Sequence, residues 1–335
     1  MNLHPFVRAL LLPLSLLYGV VVRARVWVYQ KGWLKQRRLK ATVISVGNLT
    51  VGGTGKTPMV IWLAEKFLAE GKKVAILSRG YRGSGGTSDE VELMKFRLQG
   101  RVAFGVGKNR FAEGQRLEAQ QPTDVFLLDD GFQHLQLARD LDILLMDASR
   151  SMHGERLLPA GRLREPLSAM SRASLVVFTR TEAAPGSLEA IEKLSQFPVF
   201  AAATQLLGFR RHGGGIQLQS AQEVGAGPFF AFCGLGNPEA FFRDLQVWGL
   251  PICGRAVFAD HHRYTQRDIL RIKQTGAKAG ANAFVTTEKD AQNLSGLKLD
   301  EAALYICVID LAVSPESDFR SVLDRLLAAK IGAAA

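Results

Sequence analysis

Between the apolar run Thr42–Val46 and a helical pattern beginning at Pro58, the chain reads Gly47-Asn-Leu-Thr-Val-Gly-Gly-Thr-Gly-Lys-Thr-Pro58. A strand, a glycine-rich turn and a helix in that order can wrap phosphate. Backbone N–H groups and the positive end of the helix face the oxygens, a lysine reaches the β/γ-phosphates, and the following hydroxyl ligates Mg²⁺. The lysine and hydroxyl are Lys56 and Thr57, and Asn48, Thr50, Val51, Gly52, Gly53, Thr54 and Gly55 form the cradle. Thr50 stands where the usual G-x-x-x-x-G-K-[ST] pattern has its first glycine. The apolar run Val125–Leu128 ends in Asp129-Asp130-Gly-Phe-Gln-His134, which has the form of a Walker B element. A carboxylate there can hold Mg²⁺ directly or through water, and the sequence leaves open whether Asp129 or Asp130 is the nearer ligand.

Other groups are more ambiguous. His134 fits a structural role as well as a functional one. Arg162, Arg164 and Glu165 lie in a Pro/Gly-bounded loop, where arginines suit phosphate recognition but a solvated loop explains them equally. Asp260, His261 and His262 follow an expected strand and could form a metal site, an exposed turn, or a histidine that tunes a base. Adjacent histidines point apart and no further His/Cys spacing supports zinc. The polar stretch from Arg79 and Tyr81 to Glu92 leaves a strand end, the side on which α/β sheets bind ligands. Asp89 there could take a proton from a hydroxyl, with Glu90 and Glu92 as rivals. Gly234-Leu-Gly-Asn-Pro238 lacks the third glycine of a dinucleotide fingerprint, and Thr286-Thr-Glu-Lys-Asp290 is not the guanine-reading N-K-x-D, which favours adenine.

These groups need a scaffold, and the pattern supplies one. Short β-branched runs at 73–78, 102–106, 125–128, 141–147 and 175–179 alternate with helical stretches, which predicts a doubly wound, mainly parallel α/β sheet of the P-loop NTPase type. The runs 205–211 and 216–219 flank His212-Gly-Gly-Gly215 and read as a β-ribbon, a suitable hinge. A second α/β series starts at Pro228. The expected organisation is an N-terminal membrane-associated helical segment at 1–40, a P-loop domain at 41–203, the ribbon at 204–224, and a smaller α/β domain at 225–335. Cys233, Cys253 and Cys307 form neither a disulfide framework nor a zinc pattern, which fits a cytoplasmic setting.

The net charge is +11, and no acidic residue precedes Glu65. Ala9–Val22 is uncharged and apolar, and is followed by Arg23, Arg25, Lys31, Lys35, Arg37, Arg38 and Lys40 with Trp27, Tyr29 and Trp33 interleaved. The run falls short of the roughly 20 residues that span a bilayer, so an interfacial helix is expected rather than a crossing one. No cleavage site supports a signal peptide and no nucleic-acid-binding pattern accompanies the basic residues; a core helix with a solvated basic face is the plainer alternative.

Taken together, the motifs at 46–58, 78–81, 129–134, 158–166, 234–238, 258–262 and 286–290 resemble those of the tetraacyldisaccharide 4'-kinase family over nearly the whole chain. The resemblance implies transfer of the ATP γ-phosphoryl group to the 4'-hydroxyl of an anionic, acylated disaccharide 1-phosphate, with Mg²⁺, at the cytoplasmic face of the inner membrane, giving lipid IVA. The chain would be peripheral or monotopic there, with no obligatory protein partner. It makes Asp89 and His261 a dyad that deprotonates the hydroxyl, assembled across two domains that close on the substrates. It assigns Lys56 to charge neutralisation, and Thr57, Asp129 and Glu165 to the metal. Asp130 and His134 go to the phosphate site, and Arg79, Tyr81 and Arg164 are our own expectation for the lipid head group. Where the family commonly shows Gly-Asp-Glu-Pro, this chain has Ser88-Asp-Glu-Val91. A membrane-associated P-loop ATPase or GTPase switch is the alternative from the P-loop and aspartates alone, and it entails turnover without lipid.

Overall fold

The computed structural model describes residues 4–80, 88–183, 197–225, 227–294, 296–297 and 303–332. Along the chain the elements are α1 (Pro5–Leu10), α2 (Leu12–Gln30), β1 (Thr42–Asn48), α3 (Lys56–Ala69), β2 (Val74–Ser78), α4 (Asp89–Leu98), β3 (Ala103–Val106), α5 (Arg110–Gln120), β4 (Val125–Asp129), β5 (Leu141–Asp147), β6 (Leu175–Thr179) and β7 (Val199–Arg211). They continue with α6 (Ala221–Val224), β8 (Phe229–Cys233), α7 (Pro238–Val247), β9 (Ile252–Val257), α8 (Gln266–Lys278), β10 (Ala283–Thr287), α9 (Glu288–Gln292), β11 (Leu304–Ser314) and α10 (Glu316–Gly332).

The chain forms two compact units that do not follow sequence order. Unit 1 comprises Met1–Tyr81, Leu98–Thr204 and Leu311–Ala335; unit 2 comprises Arg82–Arg97 and Gln205–Asp310. Strands β7 and β11 each carry the chain from one unit to the other. The expected boundaries assigned 82–97 to the first domain and 311–335 to the second, whereas contacts exchange both segments.

The physical reasons are specific. In unit 1, Phe319 of α10 is fully buried, edge-on to Trp62 and Phe200 at 5.5 and 5.0 Å, with Arg320–Glu70 at 2.7 Å and a Lys66–Glu316 ion pair beside them. In unit 2, Arg97 of α4 donates to both oxygens of buried Glu288 at 3.2 and 3.0 Å and to the Ile309 carbonyl at 3.1 Å, while Arg210 lies 4.5 Å from the Phe96 ring centre. Helix position in sequence is thus overridden by where these side chains are satisfied.

The unit 1 sheet has the order β3-β2-β4-β1-β5-β6-β7, with every pair parallel. Its central strands β4, β5 and β6 are buried on both faces along their full lengths, as helix-covered parallel strands must be. Unit 2 has β11-β10-β8-β9, also parallel. The segment expected as a β-ribbon makes one antiparallel pair, Phe209 with Gln219, beyond which 205–211 belongs to the long strand β7.

The N-terminal stretch is longer and more regular than its apolar run. Pro13 lies in the first turn of α2, where its missing N–H costs nothing, so the helix continues to Gln30 and includes Arg23 and Arg25. By length and composition α2 could cross a membrane. Its small and polar face is docked within unit 1. Ser15 Oγ donates to the Leu157 carbonyl at 3.0 Å and accepts from Ala160 N–H at 2.9 Å, and Tyr18 donates to the Arg164 carbonyl at 2.8 Å. A Cβ on Gly19 would meet Leu157 Cδ1 at 2.7 Å, so a larger residue there would have to displace that side chain. Leu10, Leu14, Leu16, Leu17, Val20 and Val21 remain exposed.

Candidate active site

In unit 1 the glycine-rich turn leaves the end of β1 and enters α3 at Lys56. Gly52 and Gly55 have φ of +111° and +82°, conformations that side chains resist, and Gly55 forms the left-handed N-cap of the helix. Thr179 Oγ1 pins the turn by donating to the Thr54 carbonyl at 3.1 Å. The 157–165 segment braces its other side: Val51 N–H donates to the Arg162 carbonyl at 2.8 Å and Arg164 N–H to the Leu49 carbonyl at 2.7 Å. Arg162 is itself held by Glu155 at 2.6 Å, and with Arg150 it borders the recess along Thr50–Thr54.

Strand β4 pairs with β1 so that Asp129 lies opposite Val46, which puts the aspartates beside the turn. Gly47 is required there, because a Cβ would meet Phe132 Cβ at 2.6 Å. Asp129 is buried and accepts from Ser78 Oγ at 3.2 Å. Asp130, at φ +51°, lies 3.6 Å from Lys56 Nζ and accepts from Arg164 Nη1 at 2.8 and 2.7 Å. Burial alone would raise its pKa, but Lys56 and Arg164 hold it below the ordinary carboxylate range. Lys56 also reaches Asn48 Oδ1 at 3.4 Å. Arg164 is therefore engaged with Asp130 rather than presented as a free head-group ligand.

Glu165 is buried in a forked pair with Arg172 at 2.7 and 3.0 Å. Among the described residues no three His, Cys, Asp or Glu side chains cluster as a metal site. The oxygen donors Thr57, Asp129 and Glu165 do not suit zinc; they are of the kind Mg²⁺ takes, a hard cation held by one or two carboxylates, a hydroxyl and phosphate oxygens. His134 is pushed down to about 4 by burial and by Arg110, Arg139, Arg25 and Arg79, and its Nε2 is buried without a partner. It is neutral at pH 7. Arg79 is exposed, and Tyr81 lies outside the described residues.

Arg110 was not singled out by sequence. It opens α5 and is buried, its pKa lowered by burial and by Arg79 against the opposing pull of Asp130 and Asp129. A cation in the first turn of a helix opposes the dipole, and α5 follows a strand on the ligand side of the sheet; those two facts were the available signal.

Unit 2 holds a second group. Ser88 is buried and its Oγ accepts Val91 N–H at 3.3 Å, so it caps α4 and sets Asp89 in the first turn. The serine that departs from the family pattern thus does a capping job. His261 Nδ1 lies 3.0 Å from both Asp89 oxygens. The pair forms inside one unit, because α4 belongs to unit 2; the expected assembly of the base across two domains does not describe it. Burial works to raise the Asp89 pKa, yet His261 and Lys289 bring it below its ordinary value, while the bond to Asp89 raises that of His261 despite burial. His262 points elsewhere, to Asp268 at 3.2 Å.

The loops after β8, β9 and β10 converge on one buried carboxylate. Asp290 accepts from Gly234 N–H at 2.8 Å, Tyr264 OH at 2.9 Å and Thr287 Oγ1 at 2.6 Å. A Cβ on Gly234 would meet the Ala259 carbonyl at 2.9 Å and His262 Cβ at 3.2 Å. Three motifs that looked separate in sequence form one bracket around the turn that carries His261, whose φ of +59° needs such support.

Residues 7–328 match the model of the tetraacyldisaccharide-1-P 4'-kinase family. The chain belongs to that family. Its members include the tetraacyldisaccharide 4'-kinases of Geobacter metallireducens, 37% identical over 97% of this chain and 100% of the relative, and of Geobacter sulfurreducens, 39% identical over 93% and 91%. Among solved structures, LpxK of Aquifex aeolicus in complex with ATP is 31% identical, covers 96% of this chain and 99% of that one, and gives a TM-score of 0.77. The family is one of kinases with the α/β, largely parallel architecture described above.

Proposed function

We propose that the chain transfers the γ-phosphoryl group of ATP to the 4'-hydroxyl of tetraacyldisaccharide 1-phosphate, producing lipid IVA. The observation that carries this reading is the family match over residues 7–328, and the site supports it. The backbone of 50–55 cradles the triphosphate, and Lys56, steered by Asn48 and Asp130, meets the charge that develops on the transferring group. Thr57 and Asp129, with Glu165 if it leaves Arg172, would hold Mg²⁺, which supplies further neutralisation of the phosphates. Neutral His134 and the Asp130–Arg164 pair order the phosphate site.

Asp89, oriented by His261, takes the proton of the 4'-hydroxyl as its oxygen bonds to Pγ and the bond from Pγ to ADP breaks. The acyl chains stay in lipid while α1 and α2 lie on the cytoplasmic surface of the inner membrane with Leu10, Leu14, Leu16, Leu17, Val20 and Val21 toward it. Arg79 and Tyr81 meet the anionic head group. The test is transfer of labelled γ-phosphate in detergent micelles with and without tetraacyldisaccharide 1-phosphate. Label in the lipid fraction at the 4'-position is the expected result. Phosphate release at the same rate without lipid, and no labelled lipid, would move the protein to the ATPase class.

A further inference from the structure

The motif Thr286-Thr-Glu-Lys-Asp290 contributes two buried carboxylates to the framework of unit 2, but its lysine has had no role. Lys289 Nζ lies 3.0 Å from Asp260 Oδ1, 3.4 Å from His261 Nε2, and 4.0 Å from both Asp89 Oδ2 and Glu90 Oε1. Burial disfavours its charge, but Asp260, Glu90 and Asp89 outweigh burial and raise its pKa, so it is an ammonium. Asp290 and Glu288, fixed on either side of it, hold the helix start from which it projects.

An ammonium has three donors and no acceptor, and an ionised carboxylate only accepts. His261 sits between the two. Its Nε2 faces the ammonium, where a lone pair accepts and an N–H would repel, and its Nδ1 faces Asp89, where it carries the proton; the bond to Asp89 still raises the His261 pKa, and Lys289 is the charge that opposes that rise. Asp260 Oδ2, at 3.9 Å from Nε2, is too far to accept a hydrogen bond from it. An imidazolium would aim a second N–H at the ammonium.

We propose that Lys289 is the positioning residue of the dyad: it fixes His261 as the neutral Nδ1–H tautomer and so leaves Asp89 as the group that receives the substrate proton. The proposal rests on the reading of Asp89 as base. The proton leaves the hydroxyl for the Asp89 carboxylate, the oxygen's electron pair forms the bond to Pγ, ADP departs with the pair of the broken bond, and the carboxylic acid returns its proton to solvent. Among the described residues the charged groups facing His261 are Asp89, Asp260 and Lys289; those facing Lys289 are Asp260, Asp89 and Glu90. Without the ammonium, the carboxylates favour the imidazolium, whose protonation would remove the working tautomer.

Two measurements on the full chain test this. The ¹⁵N shifts of its imidazoles, with His261 assigned by His261→Gln, are expected to show the Nδ1–H tautomer for that residue; an Nε2–H tautomer at neutral pH overturns the proposal. The pH profile of kcat/KM for Lys289→Met is expected to have its acid limb displaced to higher pH. Its activity should fall about tenfold further at the acid end of the range than at the alkaline end, with the charge-keeping Lys289→Arg restoring most of the difference. An unshifted limb with only a raised KM for lipid would make Lys289 a substrate contact, and an unshifted limb with a uniform loss would make it structural; either overturns the proposal. Asp89→Asn separates the two readings. If it retains wild-type turnover, the base assignment itself fails, whereas an inactive Asp89→Asn beside an unshifted Lys289→Met removes only the role of Lys289.

Discussion

The two charged groups of this molecule are built on opposite plans. The proposed phosphate site of unit 1 is mostly backbone, a turn shaped by Gly52 and Gly55 with a single lysine reaching across it, and most of its donors are consecutive in sequence. The dyad of unit 2 is entirely side chain: a helix-start aspartate and a turn histidine separated by 172 positions, with three loops tied to Asp290. A backbone cradle tolerates variation in side-chain identity, which is how Thr50 can replace the usual glycine. A side-chain dyad tolerates little, because each atom depends on the packing of remote elements.

That contrast can be broken experimentally. Lys56→Ala and Asp89→Ala are expected to cause the largest losses, each on the order of 10²–10⁴ in turnover, but with different signatures. Lys56→Ala should weaken ATP binding as well. Asp89→Ala should lower kcat and kcat/KM equally with the nucleotide KM unchanged, and a purely raised nucleotide KM would count against its role.

Next in size is Glu288→Ala, which takes the carboxylate partner from the mostly buried Arg97 and leaves it the Ile309 carbonyl. A cost of about 3–5 kcal/mol is expected, seen as a lower denaturation midpoint accompanied by loss of activity because α4 carries Asp89. A midpoint equal to wild type would show that the bridge does not fasten α4. Gly47→Ala should cost about 1–3 kcal/mol through its collision with Phe132, measured by the same denaturation curve.

A further effect appears only as a pH dependence. His134 has its pKa depressed in the folded state, so the unfolded chain binds the proton first. Its contribution to stability is therefore complete above the unfolded value near 6.5 and is lost as pH falls from there toward about 4. His134→Gln should flatten stability against pH in that window; an unchanged slope would show that the histidine is not buried neutral.

The same contrast explains what was legible in sequence. The strand–turn–helix that carries Lys56 and Thr57, with the aspartates at the next strand end, could be read because that context is local and fixed by a few residues. Most strands of unit 1 fell where the β-branched runs placed them. Three things were not legible. The segment 88–97 looked like part of the first domain because nothing local announces that Arg97 is satisfied by Glu288, nearly two hundred residues on. The N-terminal helix outruns its apolar stretch because Pro13 starts it rather than breaks it. Arg164 and Glu165 read as ligands because a sequence cannot show that Asp130 and Arg172 already engage them.

The most direct test of the central claim, that the nucleotide site and the dyad are separate devices with separate tasks, is a single-turnover experiment on Asp89→Ala. ATP affinity and the rate of γ-phosphoryl transfer to tetraacyldisaccharide 1-phosphate would be measured on the same preparation. The expected result is wild-type ATP affinity with transfer reduced at least about a hundredfold. Transfer at the wild-type rate, or a loss explained wholly by weaker ATP binding, would contradict it.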